Sequence, residues 1–332
     1  MLFQIASDVH IESYRWTERK IEKKELISFM ESVMEPVAPN LILAGDIGCP
    51  GSQEGAADYE LFLHIQSARF ERVFVVTGNH EYYSKHWDKN EIDNVIQKII
   101  SNISRQNVYF LNNRSNVIPG SNIRLIGTTL WSMIPIDKIP VVSQTCQDYR
   151  KVHIGRGSDA RWMTPEDTID WHLKDLKFIR SELEEAKMQH QTALVITHHA
   201  PLHAGVSDPQ FRHTESNSLY STDLTEMIME YKSVLAAWIF GHTHWQFDYT
   251  IGGVRIVANQ YGYTNPKGHL AKLYLPKFAI EINHAPRAEN LSSLSSSTTQ
   301  SQSPIAGPSS AINDSHEKIQ ANGHPVQYQR TA

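Results

Sequence analysis

Short apolar runs rich in β-branched residues alternate along the chain with longer amphipathic stretches, and the two periods predict two kinds of element. Residues 2–6, 41–44, 73–77, 125–129, 193–197 and 236–240 are continuous apolar runs that read as strands buried on both faces. Residues 21–34, 59–70, 91–104 and 165–190 carry apolar side chains at helical spacing. The last of them opens on Thr164-Pro165, a capping residue followed by proline at the first helical position. Strand and helix in alternation predict a layered α/β fold. After Gly241 the rhythm changes. Residues 245–250, a Gly252-Gly253 turn and residues 254–258 read as a hairpin, which 270–275 and 278–282 extend into an antiparallel meander closing the sheet.

From Pro286 onward Ser, Thr, Gln, Pro and Asn replace large apolar residues, so 286–332 is expected to be a disordered tail behind one folded domain, 1–285. The stretches 112–140 and 203–220 have the weakest periodicity and are the expected rim of any binding site. Hydrophobic residues make up 40% of the chain and charged ones 20%, as in soluble globular proteins. No apolar run approaches the roughly 20 residues that span a bilayer, so no membrane partner is expected. The 31 basic and 36 acidic side chains are well mixed, with a net charge of −5 and no basic stripe, so nucleic acid is not the expected partner. Only Cys49 and Cys146 are present and the opening residues lack a secretory pattern, which together predict a cytoplasmic protein.

Five polar motifs each follow directly on a predicted strand: Asp8-Val9-His10, Gly45-Asp46, Gly78-Asn79-His80-Glu81, Thr197-His198-His199 and Gly241-His242-Thr243-His244. Ligands of α/β sheets collect beyond the carboxyl ends of the strands, so motifs spread over most of the chain are expected to meet in one crevice. Carboxylate, imidazole and amide oxygen without thiolate suit Mn, Fe or Zn. Asp46 is the natural bridge for a pair of ions, and the turn after Gly241 lets His242 and His244 serve different ones. Each residue alone has a plainer reading, as a helix cap or a hydrogen-bonded histidine; five such motifs at successive strand ends do not. Side chains alternate on extended chain, so only one of the adjacent pair His198 and His199 can point inward. His203, His213 and Asn217 are candidate substrate contacts in the following loop. Tyr82 and Tyr83 are either stacking or packing residues, and nothing marks Cys49 as an activated thiol.

The ordered set Asp-x-His, Gly-Asp, Gly-Asn-His-Glu, His and Gly-His-x-His resembles the calcineurin-like metallophosphoesterase superfamily from Asp8 to His244. The resemblance implies a metallophosphoesterase sandwich, an α/β fold of β-sheets flanked by helices with its ligands at strand C-terminal ends. It implies that Asp8, His10, Asp46 and His244 hold one metal ion and that Asp46 bridges to a second held by Asn79, His198 and His242. A hydroxide bridging two divalent or trivalent ions would then hydrolyse a phosphomonoester or phosphodiester of a small molecule, with His80 assisting the leaving group. Protein Ser/Thr phosphatases of the superfamily follow Gly-Asp with an Asp-Arg pair, whereas here Ile47-Gly48-Cys49-Pro50 follows; purple acid phosphatases have the first Asp without a paired histidine such as His10 and add a tyrosine ligand, so both are disfavoured. The chain is more similar to the group of class III cyclic-nucleotide phosphodiesterases and small phosphohydrolases. Blocks 127–131, 221–224 and 259–263 resemble recurring segments there, with pocket-shaping or packing roles left open. A catalytically silent scaffold and a nuclease are the competing readings. The intact ligand set argues against the first and the missing basic groove against the second.

Overall fold

The computed structural model describes residues 1–17, 21–211, 218–263 and 273–283. The expected tail 286–332, the candidates His213 and Asn217, and residues 270–272 of the expected meander lie outside the described residues. Among the described residues no helix is long and apolar enough to cross a membrane.

Two sheets face each other, and helices cover the outer face of each. The first runs in the order β13 (Ala279–Glu281), β1 (Leu2–Ala6), β2 (Asn40–Ala44), β3 (Arg72–Val76), β4 (Val108–Phe110). The second runs β11 (Phe247–Ile251), β12 (Val254–Ala258), β10 (Leu235–Ile239), β9 (Thr192–Thr197), β6 (Ile123–Thr128), β5 (Arg114–Val117). In the first sheet β1 to β4 are mutually parallel and stepped in chain order. Crossovers of one hand that all step the same way put every connecting helix on one face. Accordingly α2 (Lys23–Ser32), α3 (Gln53–Arg69) and α4 (Lys89–Asn102) pack outside on Leu41, Leu43, Val73 and Val75. The second sheet repeats the logic, with β6, β9 and β10 parallel. There α6 (Pro165–Met188) and α7 (Thr225–Glu230) lie outside against Ala193, Val195, Trp238 and Phe240.

The alternate side chains, Phe3, Ile5, Ile42, Ala44, Phe74, Val76, Leu194, Ile196, Ala237 and Ile239, fill the space between the sheets. Both faces of these strands are therefore buried, which is why their sequences are continuous apolar runs rather than alternating ones. Helix starts are locally encoded: the Ser52 side chain accepts from Gly55 N–H, and Asp88 and Glu91 form a reciprocal capping box.

The expected meander is corrected in part. β11 and β12 form the hairpin, but β12 then lies parallel to β10, and β13 pairs antiparallel with β1 of the other sheet. Residues 273–275 form no strand; Leu275 N–H and its carbonyl bond instead to the Asn259 side chain. Periodicity cannot tell which of two sheets will take a strand. The stretch 112–140 also contains strand β5, whose partly exposed Arg-Ser-Asn-Val composition hid it.

Helix α6 braces the loop after β6. Asp175 accepts from Leu130 N–H, and His172 donates to the Trp131 carbonyl. Burial pushes the His172 imidazole down to about 4 although that carbonyl favours its charged form. The unfolded chain, titrating near ~6.5, therefore takes up the proton first. Stability from this group is full above about pH 6.5 and falls as pH drops toward 4, by roughly 3 kcal/mol at most. Urea midpoints should decline less over that range in His172→Gln than in the wild type, and parallel declines would refute the assignment.

Candidate metal centre

The parallel strands aim their carboxyl ends the same way, and the five motif loops follow β1, β2, β3, β9 and β10 directly. Five of the nine non-glycine residues with positive φ among the described residues are Asp8, His10, Asp46, His242 and His244. Each costs about 1–3 kcal/mol and persists only where surrounding structure dictates it. The conformation solves the spacing problem of Asp-x-His and His-x-His, whose side chains would otherwise have to converge from extended chain. Backbone bonds lock it: Asp8 N–H to the Gly45 carbonyl and His10 N–H to the Asp46 carbonyl, both 3.0 Å. Glycine is required at Gly78, where a Cβ would strike the Asp46 and His198 side chains, and at Gly241, where one would strike Asp8 and the Ala44 carbonyl.

All seven expected ligands gather, in two groups. Asp8, His10 and His244 place a donor atom each within 4.8 Å of one another, and so do Asp46, His198 and His242. Asp46 lies between the groups, its Oδ2 being 3.3 Å from His198 Nε2 and 3.7 Å from His10 Nε2. Asn79 joins the second group, its Oδ1 3.1 Å from His198 Nε2. His242 and His244 thus serve different groups, as expected from the turn between them. His199 belongs to neither; its ring lies 4.1 Å from the His242 ring and 5.4 Å from Trp131.

The hydrogen bonds decide which atoms face inward. His198 Nδ1 donates to the Ala44 carbonyl at 2.9 Å, so Nε2 presents a lone pair to the Asp46 carboxylate and the Asn79 amide oxygen. Asn79 is held in that orientation because its Nδ2 donates to Asp148 at 2.9 Å and to the Tyr83 hydroxyl at 3.2 Å. His10 Nδ1 donates to Glu12 at 3.1 Å, so its Nε2 lone pair faces His244 Nε2 at 2.9 Å. Both groups are therefore rich in buried acceptors, and the His242 N–H on Asp8 and the His80 N–H on Asp46 relieve their mutual repulsion only in part, leaving room for a cation or a proton. The residues, with nitrogen and oxygen donors and no thiolate, fit a metal pair.

Charge follows the same geometry. Burial opposes ionisation of Asp8 and Asp46, yet the facing His244 for the one and His198 and His80 for the other hold both carboxyls below their ordinary value. Burial, with neighbouring His80 for His10 and His199 for His242, pushes those imidazoles down, which leaves them neutral as ligation requires. Burial opposes charge on His198 too, but Asp46 beside it pushes that imidazole up to about 10, which marks how strongly this position favours positive charge.

Several residues that matter here were not singled out from sequence. Glu81, quoted only as part of its motif, accepts from the N–H groups of Gly78, Asp46 and Ile47 at 2.6, 2.9 and 2.7 Å and so ties the second and third motif loops together. Burial and Asp46 push its carboxyl up to about 8 against those three donors. Asp148 orients Asn79 as described, and nothing near it in sequence signals that. Gln260, in the block 259–263, accepts from His244 N–H and donates to the Trp245 carbonyl. Gly262 N–H bonds the Asp8 carbonyl, so this block buttresses the first and last motif loops. Tyr263 lies over the centre, its ring 4.3 Å from His10 and its hydroxyl 3.1 Å from His80 Nε2. Block 127–131 positions the fourth motif, since the Thr129 carbonyl accepts from His198 and His199 N–H.

Tyr82 is a packing residue, fully buried and bonded to Thr77 and Asp93. His203 bonds the Ser221 hydroxyl at 2.8 Å, and Tyr220, at the end of the expected rim, has its ring 5.1 Å from His242. A cavity of about 1390 Å³ adjoins the centre, with Glu12, Cys49, Tyr83 and Lys151 in its wall and none of the seven ligands. The Cys49 thiol is pushed well up by burial and by Glu12 and Asp46, so it is not a thiolate.

A family model described as calcineurin-like phosphoesterase matches residues 1–246, and the chain belongs to that family. It is 26% identical over 280 residues to uncharacterized protein L509 of Acanthamoeba polyphaga mimivirus, covering 81% of this chain and 93% of that one. Among solved structures it is similar to the phosphopantetheinyl hydrolase of Mycobacterium tuberculosis, with a TM-score of 0.55 at 16% identity, 79% of this chain and 89% of that one. A dimetal phosphatase from Danio rerio gives a TM-score of 0.46 at 16% identity, over 81% and 90%. At such identities the structural likeness concerns the fold.

Glu81→Ala should leave three buried N–H groups without an acceptor and destabilise the protein by at least about 3 kcal/mol. Denaturant unfolding of the variant measures this, and a change under about 1 kcal/mol would show that Glu81 is not the tie between the two loops.

Proposed function

We propose that the protein hydrolyses the phosphoester of a small molecule, a phosphodiester or a phosphomonoester, in dependence on two metal ions held by Asp8, His10, Asp46 and His244 and by Asp46, Asn79, His198 and His242. The observation that carries this reading is the meeting of two buried acceptor clusters on one shared carboxylate, Asp46, in a chain of the calcineurin-like phosphoesterase family. When bound, the ions supply Lewis acidity toward phosphate oxygens and lower the pKa of water at the site.

The chain's own groups do the rest. His80 stands beside Asn79 with Nδ1 bonded to Glu12 and Nε2 turned toward the centre, 4.0 Å from Asp46 Oδ2. Carrying a proton on each ring nitrogen, it is placed to give the Nε2 proton to the departing oxygen as the P–O bond breaks and its electron pair moves to that oxygen, and it is left as the neutral Nδ1–H ring. The water that adds to phosphorus releases a proton in turn, so the balance of atoms and charge is that of simple hydrolysis. Tyr263, with its hydroxyl on His80 Nε2, occupies the place where a leaving group would lie and is positioned to contact substrate. The intermixing of acidic and basic residues along the sequence, with a net charge of −5, supports a small-molecule substrate over nucleic acid.

Purified protein loaded with Mn²⁺ should hydrolyse p-nitrophenyl phosphate, bis(p-nitrophenyl) phosphate or both, and removal of metal by a chelator should abolish the activity. Absence of turnover with Mn, Fe and Zn alike would sink the reading. Asp46→Ala should lose metal from both positions by elemental analysis. His80→Ala should keep its metal and lose turnover by about 10²–10⁴-fold; an unimpaired kcat would remove His80 from the reaction.

A further inference from the structure

Glu12 enters neither the ligand set nor the role given to His80, yet it touches both. It opens helix α1 (Ile11–Thr17), two residues beyond His10, and its side chain is 11% exposed. Its backbone frame is fixed, because Ile11 N–H bonds the Ile47 carbonyl and Ser13 bonds the His10 carbonyl through both its N–H and its hydroxyl. From there a single carboxylate oxygen, Oε1, accepts from His80 Nδ1 at 2.9 Å and from His10 Nδ1 at 3.1 Å. The two rings sit edge to face with centroids 4.4 Å apart.

We propose that Glu12 is the positioning residue of His80, keeping Nδ1 an N–H donor before and after the transfer, so that the ring ends as the Nδ1–H tautomer, and fixing the orientation that turns Nε2 to the leaving group, an inference that rests on the role of His80 above. An imidazole joined to its surroundings only through packing can flip about its Cβ–Cγ bond and exchange nitrogen for carbon. A carboxylate on Nδ1 removes that freedom, keeps a proton on Nδ1 and leaves Nε2 as the nitrogen that gives up its proton. The opposite nitrogen of His80 does face the centre, at 3.1 Å from the Tyr263 hydroxyl and 4.0 Å from Asp46. The chain after Asp46, Ile47-Gly48-Cys49-Pro50, contains no carboxylate to serve in this place, so the support arrives from the first motif loop. Because Oε1 also holds His10, the orientation of the proton donor and of one metal ligand depends on the same atom.

Three observables separate positioning of His80 from support of His10 alone. The first is metal content by elemental analysis of Glu12→Ala and Glu12→Gln, which should both retain their metal in excess Mn²⁺. The second is turnover of aryl phosphodiesters from p-nitrophenyl to phenyl, since a poorer leaving group depends more on protonation. The loss in Glu12→Ala should grow by about 10–100-fold along the series. Glu12→Gln, which keeps an acceptor oxygen, should recover part of it, and Glu12→Ala should cost nothing further on a His80→Ala background. The third is the nitrogen-15 NMR spectrum of His80 in metal-free protein, where the Nδ1–H tautomer should persist in Glu12→Gln and be lost in Glu12→Ala. An impaired His80→Ala beside a metal-loaded Glu12→Ala with an unchanged leaving-group dependence would overturn the proposal alone. A His80→Ala variant as active as the wild type would overturn the role of His80 and the proposal with it. A Glu12→Ala loss that excess Mn²⁺ fully restores would place Glu12 with His10 only.

Discussion

Hydrogen-bond acceptors do not gather in a protein interior without something positive among them, and this constraint organises the molecule. Around Asp46 the inward-facing atoms of His10, His198 and Asn79 are all lone pairs, with their N–H groups committed to Glu12, the Ala44 carbonyl and Asp148 on the far side. Asp8 and His244 extend the same arrangement beside His10. Every second-layer bond that fixes a tautomer or an amide orientation also ensures that repulsion at the centre can be relieved in full only by a cation or a proton. The rise of the His198 imidazole to about 10, driven by Asp46 against burial, is the same repulsion seen from the proton's side.

Such a centre has to be held together by the rest of the fold. Five ligand residues sit in the left-handed region at a combined cost of about 5–15 kcal/mol. The inter-sheet core offsets this, because fully burying one Val, Leu, Ile or Phe is worth about 1.5–3 kcal/mol, and the core contains many of them. Strain and support occupy different places: the apolar layer runs the length of the strands, and the strained turns lie at one end of it. The strand order places that layer correctly, since both sheets step in one direction and keep their helices outside.

Between core and centre lies a thin layer of polar residues that ties the loops to one another. Glu81 joins the second loop to the third, Gln260 and Gly262 join the last to the first, the Thr129 carbonyl holds the fourth, and Glu12 joins the first loop to His80. These residues explain how motifs spread across the chain act as a unit. Mutual support through hydrogen bonds of 2.5–3.2 Å leaves little room for a loop to shift by itself.

The sequence by itself determined the kinds of element, most of their positions and which residues would meet. A strand buried on both faces must be a continuous apolar run, and a polar motif at its carboxyl end has few places to go. Thus the strands carrying Asp8, Asp46, Asn79, His198 and His242 were legible from local pattern, while the preference for His198 over His199 came from the order of motifs shared with the family. The tertiary structure alone decided the pairing of strands into two sheets, the capture of β13 by β1 rather than by the hairpin, and the division of the ligands into two groups about Asp46. It also selected the residues that orient the ligands. Asp148 is 69 positions from Asn79, and Glu12 is 68 from His80. No local spacing encodes such partnerships, because a hydrogen bond across the fold depends on where two elements are packed, which is settled by burial elsewhere in the chain.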